Sequence, residues 1–532
     1  MAVTRVRQEV DAQPIPSLEV SLGDPGMTPM FKAGLGGLAA SLRAIAKEAD
    51  IRWSTKHPMR VPLGDGEAVV NAQSIELNWG ASVENLLEAL VEGAFRLTKT
   101  GLIDLPGTYD DRPSEPLLAA LQDALKVTFL QHGKSTTKRE GAKKVATVEI
   151  DEEKHSFVYQ PYDGYAHRDE AAGQLQSALR AGHVSLAGWA YPGAAVKHSK
   201  YGETGIEYSP TLALAAFFAP VGCVQFMGPG RTGVLVIPTP RELRSFARAR
   251  PLMTPRRIDE VWVGGPGDAA MTSRIRLRGA KLENEAVGGV EAVILRTAPW
   301  DKKQKYRMAT VPQGLLNESL LRCFERAMQL WPTQLIGVNS PKKGETDFFA
   351  SPSLLRNFVA ENIAGGRRWF ESFATARPDG DRALHQFRSG SNKGALKIRE
   401  RDGLDVMIES LEEAEKILIR SIHIAVRQRF GAIAEEADNP AARNKRWENE
   451  RERWRLAFAQ AKTHEQVRSA LADLWSRAGS NAELRDNWEK VLPLLRAGEW
   501  QAARDLALIA LASYRGSGRD TEVEGSVNNG KE

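Results

Sequence analysis

The sequence predicts an α+β N-terminal domain with irregular antiparallel sheets, followed by an all-α C-terminal helical bundle. Three observations lead there. Up to about residue 377, apolar residues switch between the helical and the strand period, without the regular βαβ spacing of a doubly wound sheet. Around 378–403 the composition turns to glycine, serine and charge (GDRALHQFRSGSNKGALKIRERDG), which marks a linker. Beyond it, apolar stripes at helical spacing recur with short connections, the pattern of a bundle. The layout expected is a flexible arm over 1–17, the α+β domain over 18–377, the linker over 378–403, the bundle over 404–515 and a disordered polar tail over 516–532.

The first ordered element is a strand over 18–22, closed by a Pro25-Gly26 turn. A helix follows, with Thr28 as N-cap, Pro29 at its first position, and Met30, Leu38 and Leu42 on one face. Gly34, Gly36 and Gly37 interrupt it, at up to ~1 kcal/mol each relative to Ala. Another backbone, of protein or of nucleic acid, is expected to come close there.

Helices are predicted over 83–97, 117–130 and 168–181, and strands over 145–150, 156–159 and 234–237. A short arginine-rich helix spans 241–250. Segments 258–263, 273–282, 290–297 and 306–311 read as an antiparallel set, and 315–330 and 353–363 as helices. In the bundle, Leu404, Ile408, Leu411, Leu418 and Ile422 form one stripe, and Trp447, Trp454, Phe458 and Ala461 a second. Thr463 with Gln466 and Ser480 with Glu483 read as capping boxes that start two more helices. Trp500, Ala503, Leu506 and Ala510 mark the fifth and last.

The totals bound the function. The net charge is only +5, but basic residues cluster along the chain, which favours a polyanionic partner. Cys223 and Cys323 are the only cysteines, so neither a disulfide framework nor a cysteine zinc site is expected, and a reducing cytoplasmic location follows. Residues 1–16 lack the apolar centre of a secretory signal, and the apolar run 212–226 is too short to span a bilayer.

Catalytic motifs are not found. Gly228-Pro-Gly-Arg-Thr-Gly233 lacks the Lys-Ser/Thr of a phosphate loop and reads as a hairpin turn. Ser340-Pro-Lys-Lys343 has SxxK spacing, but its proline places it in a loop. His198, beside Lys197 and Lys200, is either a general base or a phosphate-facing histidine. No cofactor and no metal is called for, and the chain reads as non-enzymatic.

Basic residues gather in five places. The hydroxyl-rich loop over 131–144 offers Gln131, Lys134, Ser135, Thr136, Lys138, Arg139, Lys143 and Lys144 for contact with phosphates and base edges, or is simply a solvated loop. Arg244, Arg248, Arg256 and Arg257 crowd a second segment, with Arg241 and Arg250 beside them. Arg274, Arg276 and Arg278 would share one face of a strand, roughly 6.7 Å apart at ~3.3 Å rise per residue, facing phosphates or paired with Glu283 and Glu285. Lys302, Lys303 and Lys305 form a basic turn. Arg443 and Arg446 could line a groove on the bundle, with Trp447 and Trp454 as core.

Three blocks carry a family resemblance: PGMT followed by AGLGGLA; YPGAAVKH, LALAAFFAPVGCVQF and VLVIP; and WEKVLPLLRAGEWQAARDLALIALASY. Together they resemble the large subunit of type I (I-B or MYXAN-like) CRISPR Cascade surveillance complexes. The resemblance implies a subunit without catalytic residues that recognises the protospacer-adjacent motif in double-stranded DNA, helps open the duplex and stabilises the R-loop. Implied partners are CRISPR RNA, target DNA, the backbone, 5′-end-capping and small subunits, and a docked helicase-nuclease or transposition effector; no membrane is involved. In such systems the C-terminal part can also be made separately from an internal start, for which Met407 is the candidate. The rival readings are a nuclease or phosphotransferase using His198 and Lys197, and an interaction scaffold without a nucleic-acid role.

Overall fold

The computed structural model describes residues 17–131, 135–141, 143–186, 188–192, 207–279, 283–295, 308–312, 318–339, 341–342, 344–377, 383–386, 396, 398–437 and 439–515. An N-terminal region of small antiparallel sheets and helices precedes a C-terminal region that is all helical, the fold class expected. The chain divides into two compact units, Met1–Leu315 with Thr333–Pro352 and Leu316–Pro332 with Ser353–Glu532.

In the first unit, β1 (Ser17–Ser21), β2 (Met59–Leu63), β3 (Gly66–Val70) and β4 (Ser74–Asn78) form an antiparallel sheet in the order β1-β4-β3-β2. The turn after β1 is closed by the Met27 N–H donating to the Asp24 carbonyl, with Gly26 at φ +86°, a left-handed position that glycine adopts freely. Thr28 then caps α1 (Pro29–Glu48), its hydroxyl accepting the Phe31 N–H at 3.4 Å. Leu38 and Leu42 are fully buried and Met30 half-buried.

The helices that follow are α2 (Val83–Ala94), α3 (Glu115–Thr128), α4 (Ala171–Ala181), α5 (Pro210–Phe217) and the short α6 (Ala219–Gly222), of which α2, α5 and α6 pack on α1. The backbone that approaches the glycines of α1 belongs to α5 and α6. A Cβ on Gly34 would lie 1.8 Å from the Ala215 carbonyl oxygen, and one on Gly37 would lie 2.3 Å from that of Phe218. The fit is reciprocal, since a Cβ on Gly222 would lie 1.7 Å from the Ala33 carbonyl oxygen. Gly36 faces the Phe246 ring instead.

Next come β5 (Thr136–Lys138), β6 (Lys144–Ile150), β7 (Glu153–Tyr159) and β8 (Tyr162–Tyr165). Strand β5 pairs with β8, and β6 with β7. The strands β9 (Val224–Met227), β10 (Gly233–Pro240), β11 (Val287–Leu295) and β12 (Met308–Pro312) form a second antiparallel sheet in sequence order. The glycine-rich segment between β9 and β10 is a hairpin turn, as expected. Helix α7 (Leu243–Met253) packs on α1, helix α8 (Pro266–Gly279) packs on this sheet and on α7, and β13 (Gln334–Gly337) pairs with β14 (Phe348–Ser351).

Two of the four predicted strands of the antiparallel set are corrected. Residues 258–261 form a single 3-10 turn, and 273–279 lie in α8. The alternation Arg-Ile-Arg-Leu-Arg imitates a strand, but Asp268 in the first turn of α8 accepts the Gly264 N–H at 2.8 Å, and the helix seats Met271 and Leu277 in the core.

The second unit comprises α9 (Glu318–Leu330), α10 (Leu354–Ala364), α11 (Ile398–Ile408), α12 (Glu413–Glu436), α13 (Pro440–Gln460), α14 (His464–Ala478), α15 (Ala482–Val491) and α16 (Trp500–Ser513). Helices α14, α15 and α16 all pack on α12. The single stripe Leu404 to Ile422 is two helices, because Glu412 and Glu415 form a capping box that starts α12 afresh. Met407 accordingly sits near the end of α11, fully buried, and does not open a helix. Thr463 caps α14 as expected, but α15 is capped by Asn481, whose side chain accepts the Leu484 N–H at 3.1 Å, and not by Ser480.

Candidate nucleic-acid interface

The described residues of the segment over 131–144 are held by the fold, not merely solvated. Ser135 is fully buried and donates to the Leu130 carbonyl at 2.9 Å. Thr136 and Lys138 lie on β5, Thr136 half-buried and Lys138 exposed. Arg139 donates to Asp163 at 2.5 Å and to the Lys99 carbonyl at 3.1 Å, so its charge is already matched. Gln131 folds back onto the Val127 carbonyl. Lys143 is exposed, and Lys144 is half-buried at the start of β6. Lys134 lies outside the described residues.

The arginines over 241–278 separate into two kinds. Arg244 pairs with Glu242 at 2.7 Å, Arg257 with Asp259 at 2.8 Å, and Arg276 with Glu260 at 2.7 Å. Asp259 raises the pKa of Arg257 by hydrogen bonding and charge. Arg274 is buried and Arg278 half-buried on α8, so the three guanidiniums expected on one strand face do not share a face. Arg250 is buried as well, its guanidinium held by the carbonyls of Val221 and Cys223, each at 2.6 Å, and by Thr254; burial pulls its pKa down to about 10. Arg248 and Arg256, by contrast, are exposed, and their side chains have no ion-pair partner among the described residues.

In the second unit Arg443 lies 5.0 Å from the Trp447 ring centroid, and Trp447 stacks on Phe430 at 5.4 Å. Trp454 is fully buried, in keeping with a core role, and Trp447 is half-buried. Arg446 is exposed, 3.9 Å from Glu436. Lys197, His198, Lys302, Lys303 and Lys305 lie outside the described residues.

A further group of cations is assembled by the fold. Lys126 in the last turn of α3, Lys143 before β6 and Arg231 at the apex of the β9–β10 hairpin are all exposed and all act electrostatically on Asp123. Burial dominates at Asp123 and raises its carboxyl pKa despite these three charges. The hairpin is pressed onto the end of α3 because Gly233 leaves room for the Val127 carbonyl, which a Cβ would approach to 2.4 Å.

A model of the DevT N-terminal domain matches residues 19–217, and a model of the DevT C-terminal domain matches residues 408–531. Over 520 residues, covering 95% of this chain and 90% of the relative, the sequence is 46% identical to the CRISPR-associated protein Cas8a1/Csx13 of Myxococcus xanthus (strain DK1622). The chain belongs to the Cas8 family of large subunits.

For this Cas8 chain, the N-terminal match runs from β1 to the end of α5 and so holds the glycine helix together with one of the segments it is fitted to. The C-terminal match begins at the last residue of α11. Lys126 and Arg231 escaped the sequence reading. Lys126 stands alone on a helix, and Arg231 was absorbed into a turn motif. The usable signal was the arginine at the tip of a glycine-rich hairpin, where no partner sits next to it in sequence.

Proposed function

We propose that this chain is the non-catalytic large subunit of a type I, I-B or MYXAN-like, Cascade effector in the cytoplasm. In that role it recognises the protospacer-adjacent motif in double-stranded DNA, helps open the duplex and holds the R-loop. It does so together with CRISPR RNA and the backbone, 5′-end-capping and small subunits, and offers a docking surface to a helicase-nuclease or transposition effector. The observation that carries this reading is the near full-length 46% identity to a CRISPR-associated protein. It is supported by exposed cations whose side chains make no ion pair among the described residues, Lys138, Arg248 and Arg256. Such groups suit phosphate contact, whereas matched arginines such as Arg139 and Arg257 serve the fold. Guide pairing would supply the remaining sequence information.

The test is equilibrium binding of the assembled complex to duplexes that carry or lack the motif. Binding should weaken steeply with salt, and Lys138→Ala should reduce discrimination between the two duplexes. Binding of neither duplex at low ionic strength would refute the reading. Equal discrimination in the variant would remove Lys138 from the motif site and leave the rest standing.

A further inference from the structure

Arg250 is only 1% exposed, yet no carboxylate meets it among the described residues. Taking a guanidinium out of water is costly unless an opposite charge stands beside it. Arg455, also buried, has that charge, since its Nε and Nη2 donate to Glu452 at 2.7 and 2.5 Å. Arg250 has only dipoles. Its Nε donates to the Val221 carbonyl and its Nη2 to that of Cys223, each at 2.6 Å, and its Nη1 to the Thr254 hydroxyl at 2.7 Å. These bonds use three of the five guanidinium N–H groups. The second N–H on each of Nη1 and Nη2 has no acceptor among the described residues. The Cys223 thiol acts on Arg250 electrostatically but brings no charge, because burial pushes its pKa up to about 12.

Arg250 borders a cavity of about 30 Å³, partly open to solvent, between α3, β9, α7 and residues 103–108. Leu105, Leu118, Leu125 and Val224 supply its apolar wall, and no aspartate or glutamate lines it. Gln225, on the same wall as Arg250, is fixed in place by its amide nitrogen, which donates to the carbonyls of Pro220 and Cys223 at 2.8 and 3.1 Å. One water needs roughly 10–15 Å³ of such space, so the cavity takes a monatomic ion or a pair of waters, and neither a nucleobase nor a phosphate diester. A buried water needs several polar partners, which hydrocarbon walls do not supply. A halide needs few donors and tolerates contact with hydrocarbon.

We propose that this cavity is a binding site for a single chloride ion, held by the two remaining N–H groups of Arg250 against the apolar wall. The ion supplies the negative charge that the side chains around Arg250 leave out, and it ties α3, β9 and α7 together at one point. The site stands apart from the nucleic-acid reading above, because its space excludes a nucleic acid and its cation is buried.

The experiment follows thermal unfolding of the full-length protein at constant ionic strength, while sodium gluconate, whose anion is too large for the cavity, is exchanged for sodium chloride. The midpoint should rise by about 2–4 °C along a single-site saturation curve. Arg250→Gln removes the charge and should abolish the rise. Arg257→Gln, at a surface guanidinium already matched by Asp259, should keep it. A second measurement needs no variant: wild-type crystals grown without chloride and soaked in sodium bromide should show an anomalous peak within hydrogen-bonding distance of the Arg250 terminal nitrogens. The two wild-type measurements decide the matter even if Arg250→Gln yields no folded protein. Equal midpoints in the two salts overturn the proposal. A chloride effect that Arg250→Gln retains belongs to other sites and overturns it as well. A soaked crystal with no bromide beside Arg250 leaves water in the cavity and has the same consequence. A bromide peak without a chloride-dependent midpoint marks binding at crystal concentration only, and the proposal falls.

Discussion

The Asp505 carboxylate on α16 accepts the backbone N–H groups of Ser372, at 2.7 Å, and Ala374, at 2.9 Å. Ser372 itself lies at φ +64°, so one buried carboxylate fixes a strained turn onto the last helix of its unit. Asp505→Ala leaves two N–H groups without acceptors, at a cost of roughly 1–3 kcal/mol each, and should lower the thermal midpoint by several degrees. The pH dependence has a definite sign. Burial pushes the Asp505 carboxyl up to about 6, against an unfolded value of 3.8, so its contribution to stability is full below 3.8 and is lost as pH rises through 6. Thermal midpoints measured from pH 4 to 7 should therefore rise more steeply with pH in the variant than in wild type, the difference being the part that Asp505 contributes.

The buried histidines act in the opposite sense. His423 lies 3.0 Å from the Ala510 carbonyl and 3.1 Å from the Ser513 hydroxyl, and burial lowers its pKa to about 4. Burial, together with the Arg455 charge, does the same to His385. An unfolded histidine titrates near 6.5, so the stability these groups confer is present above that pH and is lost as pH falls through 4. Each contributes up to about 3 kcal/mol at one end of the window. Wild type should therefore lose stability on acidification below pH 6.5, and His423→Gln should flatten part of that limb in a urea or thermal titration.

Glycines provide a matched comparison. Gly34→Ala would drive a methyl group into the Ala215 carbonyl and should cost several kcal/mol or prevent recovery of folded protein. Gly431 lies inside α12, where a Cβ meets nothing within 4 Å. Gly431→Ala should raise stability by about 0.5–1 kcal/mol, read as a higher midpoint in thermal unfolding.

Arg276 is bound on both sides, by the Met253 carbonyl at 3.0 Å and by Glu260 at 2.7 Å. Arg276→Ala should cost about 1–3 kcal/mol of stability. The affinity of the folded variant for duplex DNA should match that of wild type at every salt concentration. A drop in affinity larger than the loss of folded protein would show that this guanidinium leaves Glu260 for a phosphate.

What the sequence made legible was mainly local. Thr28 and Pro29 specify where α1 starts, and Leu38 and Leu42 its buried face, because caps and helical periodicity act over one or two turns. The demand for a close backbone neighbour at Gly34 and Gly37 was also legible, but not that the neighbour is residues 215–222. Arg274, Arg276 and Arg278 misled because alternating charge looks the same whether it faces solvent along a strand or is divided between two sides of a helix. Burial of Leu277 and Met271 decided between the two. Likewise the Asn481 cap differs from the expected Ser480 by one position, a choice set by where α15 meets α12. The cations around Asp123 were beyond reach because no local pattern joins positions 126, 143 and 231.

The reciprocal fit of Gly34 and Gly222 also bears on the order of events during synthesis. Helix α1 leaves the ribosome long before the segment that covers it, roughly ten to forty seconds earlier at about 5–20 residues per second. For that interval the glycine-notched face of the helix lacks the backbone that covers it. Nascent chains halted before residue 222 should therefore be held by chaperones or cut by proteases, and those halted well beyond it should resist both.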